Sequence, residues 1–151
     1  MKIGNHSVKA IDGEAVADVW EEILPLVHKL DDWTRGEFTV EDIRRFVRDK
    51  AMLLWLFSED DEIILVGVTE VVQYPRKKIC NIYALAGRKM QEMWELFAPY
   101  FLNWLQVNEI EGLQTTCRDT VAEKTRLLGF TKLVNVMEFD VASYERSKKW
   151  N

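Results

Sequence analysis

Residues 51–85 hold three apolar, β-branched runs separated by short polar turns, and that block leaves few folds open. Ala51 to Phe57 is almost unbroken apolar sequence, as suits a strand covered on both faces. Ser58-Glu59-Asp60-Asp61-Glu62 turns the chain into Ile63 to Tyr74, a long β-branched run in which Gly67 is read as a bulge or bend. Pro75-Arg76-Lys77-Lys78 then leads into Ile79 to Leu85. Connections this short join antiparallel neighbours, so the three runs form a meander. Helical patterns lie on either side of this block in the sequence.

The flanks supply those helices. A short strand, Val8 to Ile11, precedes a helix from about Glu14 to Leu30, with Asp12 as its cap. Val16, Val19, Trp20, Ile23, Val27 and Leu30 recur there at steps of three and four, and Pro25 predicts a kink. Thr39 and Asp42 form a near-capping box for a second helix, which ends near Lys50 and has Ile43, Phe46 and Val47 on its apolar face. After the meander, Met90, Trp94, Phe97, Phe101, Trp104 and Leu105 line one side of a long helix. Pro99 predicts a kink in it, since a proline inside a straight helix costs roughly 3 kcal/mol. Gly112 precedes a strand, Leu113 to Cys117. Thr120-x-x-Glu123 reads as a capping box for a short helix that Gly129 stops. Lys132 to Val141 reads as the last strand, and residues 143–151 as a polar tail. The order describes an α/β (α+β) protein with a single domain over residues 1–142.

Charge and composition exclude several functions. With 25 acidic against 20 basic residues, the net charge is −5, so no basic face is available to displace counterions from nucleic acid. No apolar stretch approaches ~18 residues and no apolar leader opens the chain, which points to a cytoplasmic protein without a membrane segment. Cys80 and Cys117 lack Cys-x-x-Cys spacing and read as reduced thiols. His6 and His28 have no companion at ligand spacing, so no metal is expected. Arg76-Lys77-Lys78 reads as a solvated hairpin tip.

Three local patterns carry a resemblance. Leu127-Leu128-Gly129-Phe130 looks like a late helix ending in Leu-Gly-Phe, Asp119-Thr120-Val121-Ala122 sits where Asn-x-x-Ala is common, and the element order above runs through nearly the whole chain. Together they resemble the GNAT (GCN5-related) N-acetyltransferases. The pattern from Ala86-Gly87 through Trp94 and Trp104 to Cys117-Arg118 and Gly129-Phe130 is similar to short GNAT-like proteins of tailed phages. The resemblance implies a mixed, mostly antiparallel sheet flanked by helices, with the family's fourth and fifth strands splayed. The pantetheine arm of acetyl-CoA would enter between Ile82–Leu85 and Leu113–Cys117. The pyrophosphate would sit at the start of the long helix, where free N–H groups and the helix dipole favour an anion.

Carried over residue by residue, the resemblance assigns the co-substrate to Leu85, Ala86, Gly87, Arg88 and Lys89. It leaves Glu70 as candidate general base, Tyr83 at the thioester, and Trp33 and Phe38 on the lip of the acceptor site. It implies a small amine or a basic protein as acceptor. The match is incomplete. Only one glycine stands in the phosphate loop, Thr125 stands where the family often has a tyrosine, and no carboxylate lies within Ile79–Leu85. Each assignment also has an ordinary alternative: solvated loop charges at Arg88 and Lys89, an outer-face carboxylate at Glu70, core packing for Tyr83, and loop anchoring for Trp33 and Phe38. The rival reading is a non-catalytic, phage-encoded interaction or virion-associated protein. It would keep the scaffold and meet a host or virion protein in the host cytoplasm or the virion.

Overall fold

The computed structural model describes residues 1–32 and 34–146, of which 144–146 by backbone alone. Residues through Cys117 form one compact unit, and those from Arg118 form another. The first unit opens with a hairpin, β1 (Lys2–Ile3) and β2 (His6–Ile11), around Gly4 at φ 60°. A 3-10 turn at Gly13–Ala15 leads into α1 (Val16–Val27), a second 3-10 segment (His28–Asp32) and α2 (Val40–Arg48). Next come β3 (Leu53–Glu59), β4 (Glu62–Gln73), β5 (Lys78–Gly87), α3 (Met90–Val107) and β6 (Gly112–Thr115).

The strands lie in sequence order in a six-stranded sheet. Every neighbouring pair is antiparallel except β5 and β6, which the crossover through α3 makes parallel. The expected meander is therefore present. Its first turn is tighter than the five-residue reading, because Glu59 and Glu62 still pair and only Asp60 and Asp61 turn, both at positive φ. Two central residues with φ above zero match the twist of the flanking strands. Gly67 is not the bulge. It pairs in register with Trp55 and Leu85, while Ile64 and Tyr83 are the residues left out of the ladders.

Helices cover both faces, which explains the unbroken apolar run in β3. On one face Val16, Trp20, Ile23 and Val27 of α1, with Val40, Ile43 and Val47 of α2, pack over Leu54, Leu56, Val66 and Val68. On the other, Met93 and Phe97 of α3 meet Val8, Trp55 and Leu65. Phe101 and Trp104 stand edge-on to the Trp55 ring, each 5.0 Å away. Trp55 Nε1 donates a buried 2.8 Å hydrogen bond to Thr69 Oγ1.

Local signals fare unevenly. The Thr39–Asp42 capping box forms in full, with Asp42 N–H donating to Thr39 Oγ1 and Thr39 N–H to Asp42 Oδ2. The hydrogen bond from the Thr39 backbone holds the Asp42 carboxyl below its usual range. Both α1 and α3 run through their prolines, and α1 passes into 3-10 geometry at His28, just beyond Pro25. In the second unit, α4 (Asp119–Leu127) starts without a side-chain cap, so the Thr120–Glu123 box does not form; Glu123 instead pairs with Arg126. Gly129, at φ 98°, follows the end of that helix.

The strand expected over Lys132–Val141 is absent. Residues 131–140 have no regular structure, Leu133, Val134, Val136, Met137 and Phe139 are exposed, and α5 (Val141–Arg146) begins where the strand should end. A β-branched pattern records preference for extended backbone, but a strand also needs a ladder partner. α5 takes in the start of the expected polar tail, and residues 147–151 lie outside the described residues.

Candidate functional site

The sheet opens between β5 and β6. Their parallel pairing starts at Ile79 with Gly112 and stops at Ile82 with Thr115, yet β5 continues to Gly87. On its other side β5 stays paired with β4 as far as Leu65 and Gly87. The backbone of 83–87 therefore has one edge in the sheet and one edge beyond the end of β6. Two sequence features produce this. β6 is only four residues long, and Tyr83 is an extra residue in β5, a bulge that bends a strand and raises its twist.

Tyr83 sits at the mouth of this opening. Its ring meets Phe38, with centroids 4.9 Å apart and planes tilted by 55°. Burial pushes the Tyr83 phenol above its usual range, and the carboxylates of Glu70 and Glu37 push it further. Glu70, half-buried and opposite Asn81, shares the α1–α2 face with Val66 and Val68, because alternate residues of a strand point the same way. Phe38, Tyr83 and Glu70 thus converge on one side of the sheet, and Trp33 lies outside the described residues. Glu37 joins them, although no motif or spacing singles it out; it also pairs with Arg35 at 2.8 Å.

At the far end of β5, Leu85 and Ala86 pair with Gly67 and Val66. Gly87 has φ 132°, and a Cβ there would lie 2.2 Å from the Ile64 carbonyl oxygen and 2.8 Å from Leu65 Cα. Arg88 N–H donates to that same carbonyl at 2.9 Å. This glycine lets β5 end tight against β4.

The two cations of the loop are engaged. Arg88 pairs with Glu62 at 3.3 Å, and Lys89 Nζ reaches both Glu59 oxygens at 2.7 and 2.9 Å. The Lys89 hydrogen bond, then that of His6, holds the Glu59 carboxyl low, and Glu59 in turn raises Lys89. Lys89 adopts a left-handed conformation as N-cap of α3 and makes no side-chain cap. The first N–H groups of a helix have no partner within it and favour an anion. Glu92 in the first turn opposes one. Glu59 and Glu62 are not legible as loop partners in the sequence, since they come from the β3–β4 hairpin. On α4, Thr125 Oγ1 donates to the Val121 carbonyl. Both cysteines are free, Cys80 buried and Cys117 exposed.

No family model matches the sequence, and no curated protein matches it. The likeness lies in three dimensions. An aminoglycoside acetyltransferase from an uncultured soil metagenomic sample, crystallised with trehalose, superposes with a TM-score of 0.65 at 12% identity, over 90% of this chain and 95% of that one. A possible acetyltransferase from Clostridium difficile 630 gives 0.66 at 12%, over 91% and 99%. The aminoglycoside N-acetyltransferase AAC(6')-Iy in complex with CoA gives 0.67 at 9%, over 92% and 96%. Identities this low establish shared architecture, a mixed and mostly antiparallel sheet flanked by helices.

Proposed function

Starting from a GNAT fold, we propose that this chain is an acyl-CoA-dependent N-acyltransferase that moves an acetyl group to an amine. One observation carries the reading: β6 stops at Thr115 while β5 runs on to Gly87 and delivers the chain to the start of α3. Unpaired strand backbone asks for hydrogen-bond partners. The two amides of a pantetheine arm can supply them by lying along 83–87 as an added strand. That edge fits acetyl-CoA as co-substrate.

The residues then take these roles. Backbone N–H at the Tyr83 bulge, through Leu85, polarises the thioester carbonyl. Glu70, directly or through water, takes the proton from the attacking amine, which bonds to the carbonyl carbon as the C–S bond breaks and coenzyme A leaves as the thiolate, to be protonated by water. Phe38 borders the acceptor, and Glu37 with Glu70 favours a cationic amine, whether small or part of a basic protein. Ala86 and Gly87 lead to the phosphate end, where Arg88 and Lys89 exchange Glu62 and Glu59 for pyrophosphate oxygens.

Thermal melting with acetyl-CoA tests this. A ligand at about 100 times its dissociation constant adds roughly 2.7 kcal/mol, several degrees for a chain of this size. No shift at millimolar CoA refutes the proposal. The engaged state of Arg88 and Lys89 favours the second reading, a non-catalytic scaffold, phage-encoded and bound to a host or virion protein. If Glu59→Gln with Glu62→Gln frees both cations and CoA still gives no shift, that reading stands, and co-purification with a partner becomes its test.

A further inference from the structure

A separate cluster surrounds His6. His6 opens β2, Glu59 closes β3 and Glu92 lies in the first turn of α3, so three elements of the first unit each present one donor. His6 Nε2 is 2.8 Å from Glu59 Oε2 and 3.8 Å from Glu92 Oε1. The three donor atoms all lie within 4.8 Å of one another. One ring nitrogen carries at most one proton, so it cannot donate fully to two carboxylates. Lys89 compensates Glu59, and its hydrogen bonds go to that residue.

The geometry points to a site for a divalent transition-metal ion, of zinc-like preference, held by His6, Glu59 and Glu92. An imidazole with two carboxylates suits zinc, whereas calcium and magnesium prefer all-oxygen shells. Tetrahedral zinc with bonds of 2.0–2.2 Å sets its donors about 3.4 Å apart. The observed spacings of 2.8 and 3.8 Å fall on either side of that value. Glu92 is half-exposed, so its rotation closes the set and leaves a coordination position for water. Lys89 is the built-in competitor, because it holds the Glu59 oxygen that the metal needs.

The decisive experiment is calorimetric titration of metal-free protein with zinc chloride at pH 7, with folding checked by melting in chelator. One zinc per chain is expected, with affinity at least tenfold lower in His6→Ala and in Glu92→Gln. The second variant alters an exposed side chain and guards against a folding defect in the first. Lys89→Met should tighten binding, and calcium should not compete. The proposal fails if neither wild type nor Lys89→Met binds zinc. It fails equally if His6→Ala and Glu92→Gln leave binding unchanged, or if Cys117→Ser abolishes it, which would assign the ion to the exposed thiol.

Discussion

Replacing Gly87 by alanine should destabilise the protein far more than an exposed-loop substitution normally does. The residue sits in the loop proposed above for the pyrophosphate, yet its backbone is pressed against β4. At φ 132° an L-residue is strained, which costs about 1–3 kcal/mol. The new Cβ would also stand 2.2 Å from the Ile64 carbonyl oxygen. Relief requires the end of β5 to lift away, which costs about 1–3 kcal/mol as overpacking and gives up the Arg88 N–H hydrogen bond, worth about 1 kcal/mol. The sum is roughly 3–7 kcal/mol, or a melting temperature lower by about 6–28 °C at about 2–4 °C per kcal/mol for this chain length. Gly36→Ala is the control. Gly36 also has positive φ, 74°, but nothing lies within 4 Å of where its new methyl group would stand, so its loss is only about 1 kcal/mol. Urea unfolding of both variants measures the difference. If Gly87→Ala costs no more than Gly36→Ala, the close approach does not matter and the glycine belongs to a ligand. If the difference holds, Gly87 variants cannot report on CoA binding, and Arg88 and Lys89 must be tested instead.

Trp55→Phe should cost about 1–3 kcal/mol by removing the buried hydrogen bond to Thr69 Oγ1 and leaving space in the core, and the double variant with Thr69→Val should cost less than the two singles added. Strict additivity in urea unfolding would refute the buried bond. Cys117 should react with a thiol reagent at pH 8 while Cys80 reacts only after unfolding, because burial pushes the Cys80 thiol from 9.0 to about 11. Between those values the unfolded chain loses a proton that the folded chain keeps, so this group's contribution to stability falls as pH rises from about 9 to 11; Cys80→Ala should flatten that slope.

The residues disclose whatever depends on neighbours in the chain. The α2 cap needs only Thr39 and Asp42, and it is there to the last hydrogen bond. The meander needs only three runs and two short turns. Features that depend on distant partners escape. A looser backbone points to Gly67 as the bulge, but the ladder skips Tyr83, because register is set by side chains on both neighbouring strands. The segment Lys132–Val141 has the right residue types for a strand and finds no ladder. Glu37 reaches Tyr83 from the α1–α2 connection, and Glu62 and Glu59 reach Arg88 and Lys89 from a hairpin 26 and 30 residues upstream. No spacing rule names them.

Those hairpin carboxylates decide how the two functional readings should be weighed. Charge-assisted pairs such as Lys89 with Glu59 are short, but both partners are partly exposed, and exposed pairs contribute only about 0–1 kcal/mol. A pyrophosphate offers more negative charge than one carboxylate, and the helix start adds its own attraction. Exchange of Glu59 and Glu62 for a diphosphate is therefore cheap, so the engaged cations weaken the enzymatic reading only slightly. The heavier demand falls on Glu92, whose carboxylate stays in the first turn of α3 beside the incoming anion. A zinc ion on His6, Glu59 and Glu92 would neutralise that carboxylate and release Lys89 in one step. Metal and anion then favour each other's binding, and by linkage each raises the other's affinity by the same factor.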